Sequence, residues 1–296
     1  MIVPFPLHNP SSIFPNSPPL GRQGPEVLPL PQRHGYNLHN VGRSTVLLKG
    51  GLLSYIEEGK GPPVILIHGA GGRAEVWRDL FPILSPHFSL YALDLPGHGS
   101  SSHRGCERIE DYSDVVLEFI EASGLQGVAL VGHSMGGAIA IKAVPRSVRV
   151  KALVLVGTGP VLEVNPKLLK ALEEDFQEGV KMIVRWAFAR EAPTELRQEA
   201  EEMFHQAGQR VVLQDMRACH LYNGWEELPR ISVPTLVVCG GQDVMTPPGL
   251  SQQLKEGIAG ARLVLIEGAG HVLQREKGRE LAETIKAFLQ EALSRG

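Results

Sequence analysis

Val128-Ala129-Leu130-Val131-Gly132-His133-Ser134-Met135-Gly136-Gly137 is the stretch from which the rest of the chain is read. Its first four residues form a short apolar run, as in a strand buried on both faces of a sheet. Ala138, Ile139, Ala140 and Ile141 continue it as an apolar helix. Between the two stands Gly-x-Ser-x-Gly, so the chain must turn sharply and lift the serine above the sheet edge. Such a turn forces an unfavourable backbone at Ser134, and only small neighbours, Gly132 and Gly136, let strand and helix approach so closely. The helix then aims its N-terminal N–H groups at the site where negative charge would develop. Alone the five-residue pattern is weak. Flanked by this strand and this helix it marks Ser134 as a nucleophile, ahead of a glycine-rich turn without chemistry.

A serine hydroxyl needs a base, and the base needs an orienting acid. His271 sits in Glu267-Gly268-Ala269-Gly270-His271, directly after the last apolar run, and Asp243 in Gly240-Gly241-Gln242-Asp243, directly after the one before. Both fall at carboxyl ends of expected parallel strands, where ligand sites of open α/β sheets form. The order Ser, Asp, His is the one such an architecture uses. Taken singly, His271 reads as a loop histidine and Asp243 as a turn or N-cap residue; Glu267 is the rival acid. Two backbone N–H groups must hold the oxyanion. Met135, after the nucleophile, supplies one, and the loop His68-Gly69-Ala70-Gly71-Gly72 the other, at Ala70.

Apolar runs recur at Val64–His68, Phe88–Asp94, Val128–Gly132, Lys151–Val156, Pro234–Gly240 and Arg262–Glu267, after a hairpin of Val46–Leu48 and Leu52–Glu57. Helical patterns fall between them, at 75–84, 110–123, 135–144, 247–257 and 275–292. Alternating strands and helices imply βαβ crossovers and a mostly parallel sheet with helices on both faces. The alternation breaks once. Between the runs ending near Val156 and starting near Pro234 only helical patterns occur: Leu168, Leu169, Leu172 and Phe176 on one face, then Val180, Ile183, Val184 and Ala187 after Gly179, then 194–207 and 209–221. Residues 160–229 are therefore a helical insertion, and 45–159 with 230–294 form the core. Residues 1–35 carry nine prolines and no periodicity, which predicts an extended or disordered extension.

Composition narrows the function. A hydrophobic content of 43% supports a sizeable core, and a net charge of −3 without a basic stripe argues against a nucleic-acid partner. The apolar runs are far short of the about 20 residues a membrane helix needs. Cys106, Cys219 and Cys239 fit neither a disulfide framework nor a zinc site, and read as free thiols. With no basic, apolar leader, the expected location is the cytoplasm. No histidine shows metal-ligand spacing, so no metal is expected. His68, His98 and His133 read as structural, and Asp94 as an acceptor that ties its own loop. The oligomeric state is not legible.

The strings Ile65-Leu66-Ile67-His68-Gly69-Ala70-Gly71-Gly72, Asp94-Leu95-Pro96-Gly97-His98-Gly99-Ser100-Ser101, Gly132–Gly137, Gly240–Asp243 and Gly268–His271 resemble the α/β-hydrolase superfamily. They are most similar to its esterase, enol-lactonase, pimeloyl-ester hydrolase and monoacylglycerol-lipase-like branch, over residues 45–294. The resemblance implies an α/β-hydrolase fold with a helical cap inserted between two strands, and a cofactor-independent hydrolase. Ala70 stands where many relatives place a bulky aromatic, and His133 where ring-cleavage hydrolases often carry Asn. Ser134 in place of Asp argues against dehalogenases and epoxide hydrolases. The expected activity is cleavage of small to medium carboxylic esters through an acyl-enzyme. The alternatives are C–C hydrolysis of ring-cleavage products, or a hydrolase-like ligand receptor or signalling protein.

Overall fold

A computed structural model describes residues 42–294; the proline-rich extension expected at 1–35 lies outside the described residues. The chain opens with a hairpin of β1 (Gly42–Leu48) and β2 (Gly51–Glu58), Leu48 facing Gly51 across the turn. β3 (Pro63–Ile67), β4 (Ser89–Leu93), β5 (Val128–His133), β6 (Val150–Val156), β7 (Thr235–Gly240) and β8 (Arg262–Ile266) complete one eight-stranded sheet of order β1-β2-β4-β3-β5-β6-β7-β8. From β4 onward every pairing is parallel. The strand order reverses at β3, so the carboxyl ends of adjacent β3 and β5 flank the crevice where such sheets place their sites.

Apolar residues two apart explain the burial on both faces. Ile65, Ile67, Leu130, Leu153 and Leu155 join one core layer, and Val64, Leu66, Ala129, Val131 and Val154 the other. The first layer is closed by α2 (Ile109–Ala122), α3 (Met135–Ala143) and α8 (Pro248–Gly257), through side chains such as Phe119, Ile139 and Leu254. The second is closed by α1 (Phe81–Leu84), α9 (Leu273–Glu276) and α10 (Gly278–Leu293), through Phe81, Leu273, Leu281 and Ile285, together with Trp77.

Two expected helices are broken. The 75–84 pattern forms a 3₁₀ turn over Ala74–Trp77 and the single turn α1, because Pro82 is tolerated only in a first turn. The 275–292 pattern splits at Lys277, whose φ of −133° is not helical; a Cβ at the following Gly278 would lie 2.8 Å from Asp79 Cβ.

Between β6 and β7 lie α4 (Pro166–Glu174), α5 (Phe176–Ala187), α6 (Thr194–Ala207) and α7 (Gln209–Leu221), packed around Leu172, Val180, Ile183, Phe204, Val212 and Met216. Phe176, expected to continue the face of Leu172, instead opens α5. Asp175 breaks the chain at φ −143°, its carboxylate accepting the Glu178 N–H at 3.1 Å. Gly179 lies inside α5 rather than before it. A Cβ there would fall 2.7 Å from Leu172 Cδ2 and 2.9 Å from Leu172 Cα, so α4 and α5 meet only because it is absent. Alanine in a helix normally gains up to about 1 kcal/mol over glycine. Here overpacking costs about 1–3 kcal/mol, so Gly179→Ala should lower Tm in a thermal melt; a raised Tm would mean that α4 yields freely.

Candidate active site

Among the described residues Ser134 is the only non-glycine with positive φ, at 53°, with ψ −119°. The neighbouring glycines have backbone reasons. A Cβ at Gly132 would lie 2.2 Å from Gly136 O, and one at Gly136 2.2 Å from Ile67 O. The turn is clamped from β6: Ser134 N–H donates to Val156 O at 2.9 Å, and Ser134 O accepts the Thr158 hydroxyl at 2.9 Å. Met135 is the first residue of α3, so its N–H has no intrahelical acceptor.

Asp243 and His271 follow β7 and β8 and are buried, with Nδ1 of His271 2.9 Å from Asp243 Oδ2. Three more donors converge on this carboxylate: Met245 N–H at 2.9 Å, Thr246 N–H at 2.8 Å and the Thr246 hydroxyl at 2.7 Å. Burial alone would raise the Asp243 pKa, but His271 and the Thr246 donors outweigh it, and the group stays below the ordinary carboxylate value. An ionised Asp243 fixes the His271 proton on Nδ1 and leaves Nε2 unprotonated, with its lone pair free to accept a proton. Glu267, the rival acid, has no bond to His271 among the described residues.

The histidine loop is also held through its backbone. His271 N–H donates to Ala187 O, at the end of α5, at 2.8 Å. His271 O accepts from His133 Nε2 at 2.8 Å. Burial and the neighbouring His271 push the His133 pKa down to about 3, so that ring is a neutral prop. Glu276 accepts the Ala189 N–H at 2.8 Å and the Gly270 N–H at 3.1 Å.

The Gly69–Gly72 loop leaves β3 beside Ser134. Gly72 N–H donates to Gly69 O at 3.0 Å, as does His68 Nδ1–H at 2.7 Å, while Leu95 N–H donates to His68 Nε2 at 3.0 Å. Among the described residues the Ala70 N–H has no acceptor within the protein. Asp94 does tie its own loop, accepting Ala74 N–H and Ser100 N–H, each at 2.9 Å.

Ser134, His271 and Ala70 together line a cavity of about 290 Å³. Its other walls are mostly apolar: Leu162, Val164 and Leu168 around the start of α4, Trp186 from α5, Met216 from α7, and Val244. A second recess of about 60 Å³, walled by Val76, Ile183, Phe188 and Phe204, meets it at the same Ala70, Ser134, Met216, Met245 and His271. Among the described residues no Lys or Arg lines either space. No group of three or more His, Cys, Asp or Glu among them could hold a metal ion, and no helix among them is long and apolar enough to cross a membrane.

The structure thus brings Ser134, Asp243, His271, Ala70 and Met135 to one sheet edge. Sequence reasoning missed Thr246, Glu276 and Asp215. Thr246 is three residues past Asp243, where a turn folds its hydroxyl back on the carboxylate. Asp215 is an acid on the apolar stripe Val212, Met216, Cys219 of α7, and that misfit was the available signal.

A family profile described as the alpha/beta hydrolase family matches residues 64–284. The chain belongs to that family. Its eight-stranded, mostly parallel sheet is the α/β-hydrolase fold expected from the motifs. The hydrolase is 32% identical over 253 residues to a 2-hydroxy-6-oxo-6-(2'-aminophenyl)hexa-2,4-dienoic acid hydrolase of Metapseudomonas resinovorans, covering 79% of this chain and 86% of that one. It is 25% identical to a pimeloyl-[acyl-carrier protein] methyl ester esterase of Vibrio vulnificus, over 74% of this chain and 91% of the relative. The solved structure of a thermophilic esterase superposes with a TM-score of 0.78 at 30% identity, covering 85% of this chain and 98% of that one.

Cys219 also lines the large cavity, but burial raises its pKa and keeps it a thiol rather than a nucleophilic thiolate. Burial likewise pushes Cys106 up to about 12 and raises Cys239. Ellman's reagent should therefore find almost no reactive thiol in the native hydrolase and all three after denaturation. Rapid native modification of Cys219 would show the cavity wall open to water.

Proposed function

We propose that this hydrolase cleaves small to medium neutral carboxylic esters through an acyl-enzyme on Ser134. The observation that carries the reading is a serine strained at φ 53° in the wall of an apolar cavity it shares with a carboxylate-bonded histidine. In this reading Ser134 Oγ attacks the ester carbonyl while His271 Nε2 takes its proton. The N–H groups of Met135 and Ala70 stabilise the tetrahedral oxyanion. His271 then gives the proton to the departing alkoxide, releasing the alcohol. A water deprotonated by His271 attacks the acyl-enzyme, and Ser134 regains its proton as the acid leaves. Asp243, bonded to Thr246, keeps the imidazole in the required tautomer. Residues 160–229 act as the cap over the core formed by 45–159 and 230–294, and the site needs no cofactor.

The relative from Metapseudomonas resinovorans favours a second reading, C–C hydrolysis of a dienoic acid. That substrate is anionic. A carboxylate buried without a partner costs several kcal/mol, and no cationic side chain among the described residues lines the cavity. A neutral ester avoids that cost, so the ester reading is preferred. Lactones, monoacylglycerols and thioesters share the same chemistry and belong in the same substrate panel.

Ser134→Ala should lower kcat by about 10³-fold or more with the fold intact, and Asp243→Asn by about 10²–10⁴-fold. A fluorophosphonate probe should label wild type and not Ser134→Ala; a label mapped to another residue removes the assignment. Dienoic acid turnover without ester turnover would instead favour the C–C reading. Ligand-dependent partner binding without turnover would favour a receptor.

Chain length tests the cavity. Each buried methylene gains about 0.8 kcal/mol, roughly fourfold in kcat/KM. The p-nitrophenyl ester series should therefore rise from acetyl to butyryl or hexanoyl and then fall. A steady rise through palmitoyl would mean an open groove instead.

A further inference from the structure

Asp215 of α7 is fully buried, yet it belongs to neither the nucleophile, the base nor its acid. Three donors from three separate core segments converge on it. Gly71 N–H donates to Oδ2 at 2.8 Å, His98 Nε2 to the same oxygen at 2.8 Å, and the Tyr112 hydroxyl to Oδ1 at 2.7 Å. His98 Nδ1 faces Pro96 O at 3.0 Å, so both ring nitrogens face acceptors and the ring carries both protons. Burial opposes that charge, but Asp215 outweighs it and holds the His98 pKa above its ordinary value. His68, its ring 4.8 Å from that of His98, answers in the opposite sense: burial and the His98 charge push it down to about 4. The neutral His68 can then donate from Nδ1 and accept at Nε2, as its bonds require.

These bonds act on two successive peptide planes. The Gly69–Ala70 unit carries the Ala70 N–H, and its carbonyl is pinned by Gly72 N–H and His68. A trans peptide is planar, so these bonds set the plane that holds the Ala70 N–H and leave the Ala70 Cα end of that plane to be held from the Gly71 side. Among the described residues the Ala70–Gly71 unit is pinned only at Gly71 N–H, by Asp215. Gly71 sits at φ 62°, where glycine resists rotation least, so without that acceptor this unit is free to turn and to carry Ala70 with it.

We propose that Asp215 is a positioning residue, a carboxylate reaching from the helical insertion into the core to hold the Ala70–Gly71 peptide, and with it the Ala70 Cα, so that the Ala70 N–H of the preceding plane stays aimed at the oxyanion. The proposal rests on the acyl-enzyme reading above. It makes the insertion part of the catalytic geometry as well as a wall of the cavity, since α7 also supplies Met216 and Cys219 to that wall.

Asp215→Asn and Asp215→Leu separate this role from charge and bulk. Both remove the charge and keep the branched four-atom side chain, but only asparagine keeps an oxygen for Gly71 N–H. Asparagine should stay within about threefold of wild type in kcat. Leucine should lose about 10–10²-fold in kcat with KM little changed, less than or comparable to the loss of a whole oxyanion donor. Affinity for a butyl trifluoromethyl ketone, whose adduct develops the oxyanion, should fall in parallel with kcat/KM. Should the leucine variant not fold, Asp215→Ala takes its place. Gly179→Ala, which strains the α4–α5 contact at Leu172 without touching Asp215 or its three donors, controls for stability alone and should leave the ketone affinity unchanged. Equal kcat for asparagine and leucine, a loss confined to KM, or the same ketone loss in Gly179→Ala would overturn the proposal. Ser134→Ala distinguishes the two levels. If it stays active, the acyl-enzyme reading falls and takes this proposal with it; if it is dead while Asp215→Leu matches wild type, this proposal alone falls.

Discussion

At Ser134 the backbone holds φ 53°, a region that costs an L side chain of order 1–3 kcal/mol and persists only when its surroundings over-determine it. Here they do. α3 approaches β5 and β3 so closely that neither Gly132 nor Gly136 could carry a Cβ, because the first would strike Gly136 O and the second Ile67 O. Val156 and Thr158, across β6, take up the serine's own N–H and carbonyl. The strain is thus shared among three central strands whose apolar side chains are buried on both faces. A sheet packed this tightly cannot relax the turn without moving its own core, and the serine stays raised above the strand ends.

The other polar groups of the site are held differently, by ties that cross between the sheet edge and the helical insertion. The carbonyl of Ala187 receives the His271 N–H, and Glu276 gathers the Ala189 and Gly270 amides. Asp215 receives the Gly71 amide. The histidine loop and the glycine loop therefore each take one anchor from residues between β6 and β7. A Cβ at Gly270 would lie 2.4 Å from Ala189 N, so this junction is as tight as the serine turn. The proposed nucleophile rests on the core, while the proposed base and oxyanion loop rest on the seam between core and insertion.

Much of this was legible in the sequence because it is periodic or local. Continuous apolar runs such as Leu153–Val156 have the length and branching of doubly buried strands, and Gly-x-Ser-x-Gly between strand and helix admits few geometries. Asp243 and His271 follow their strands directly, so strand assignment alone carried them to the same edge. What stayed hidden depends on contacts between segments remote in sequence. Nothing near Gly179 reveals that Leu172 will occupy its missing side chain, and nothing near Asp215 reveals that Gly71, His98 and Tyr112 will surround it. The helix expected at 275–292 is interrupted just before Gly278, which fits against Asp79, a residue remote in sequence.

The covalent intermediate is the most direct test. Wild-type hydrolase mixed with p-nitrophenyl butyrate and quenched in acid within the first turnover should show, by intact mass and peptide mapping, one butyryl group on the peptide containing Ser134. The adduct should appear with the first equivalent of nitrophenolate and decay as butyrate forms. Butyrate released with no covalent adduct, or an adduct on any other residue, would contradict a nucleophilic Ser134.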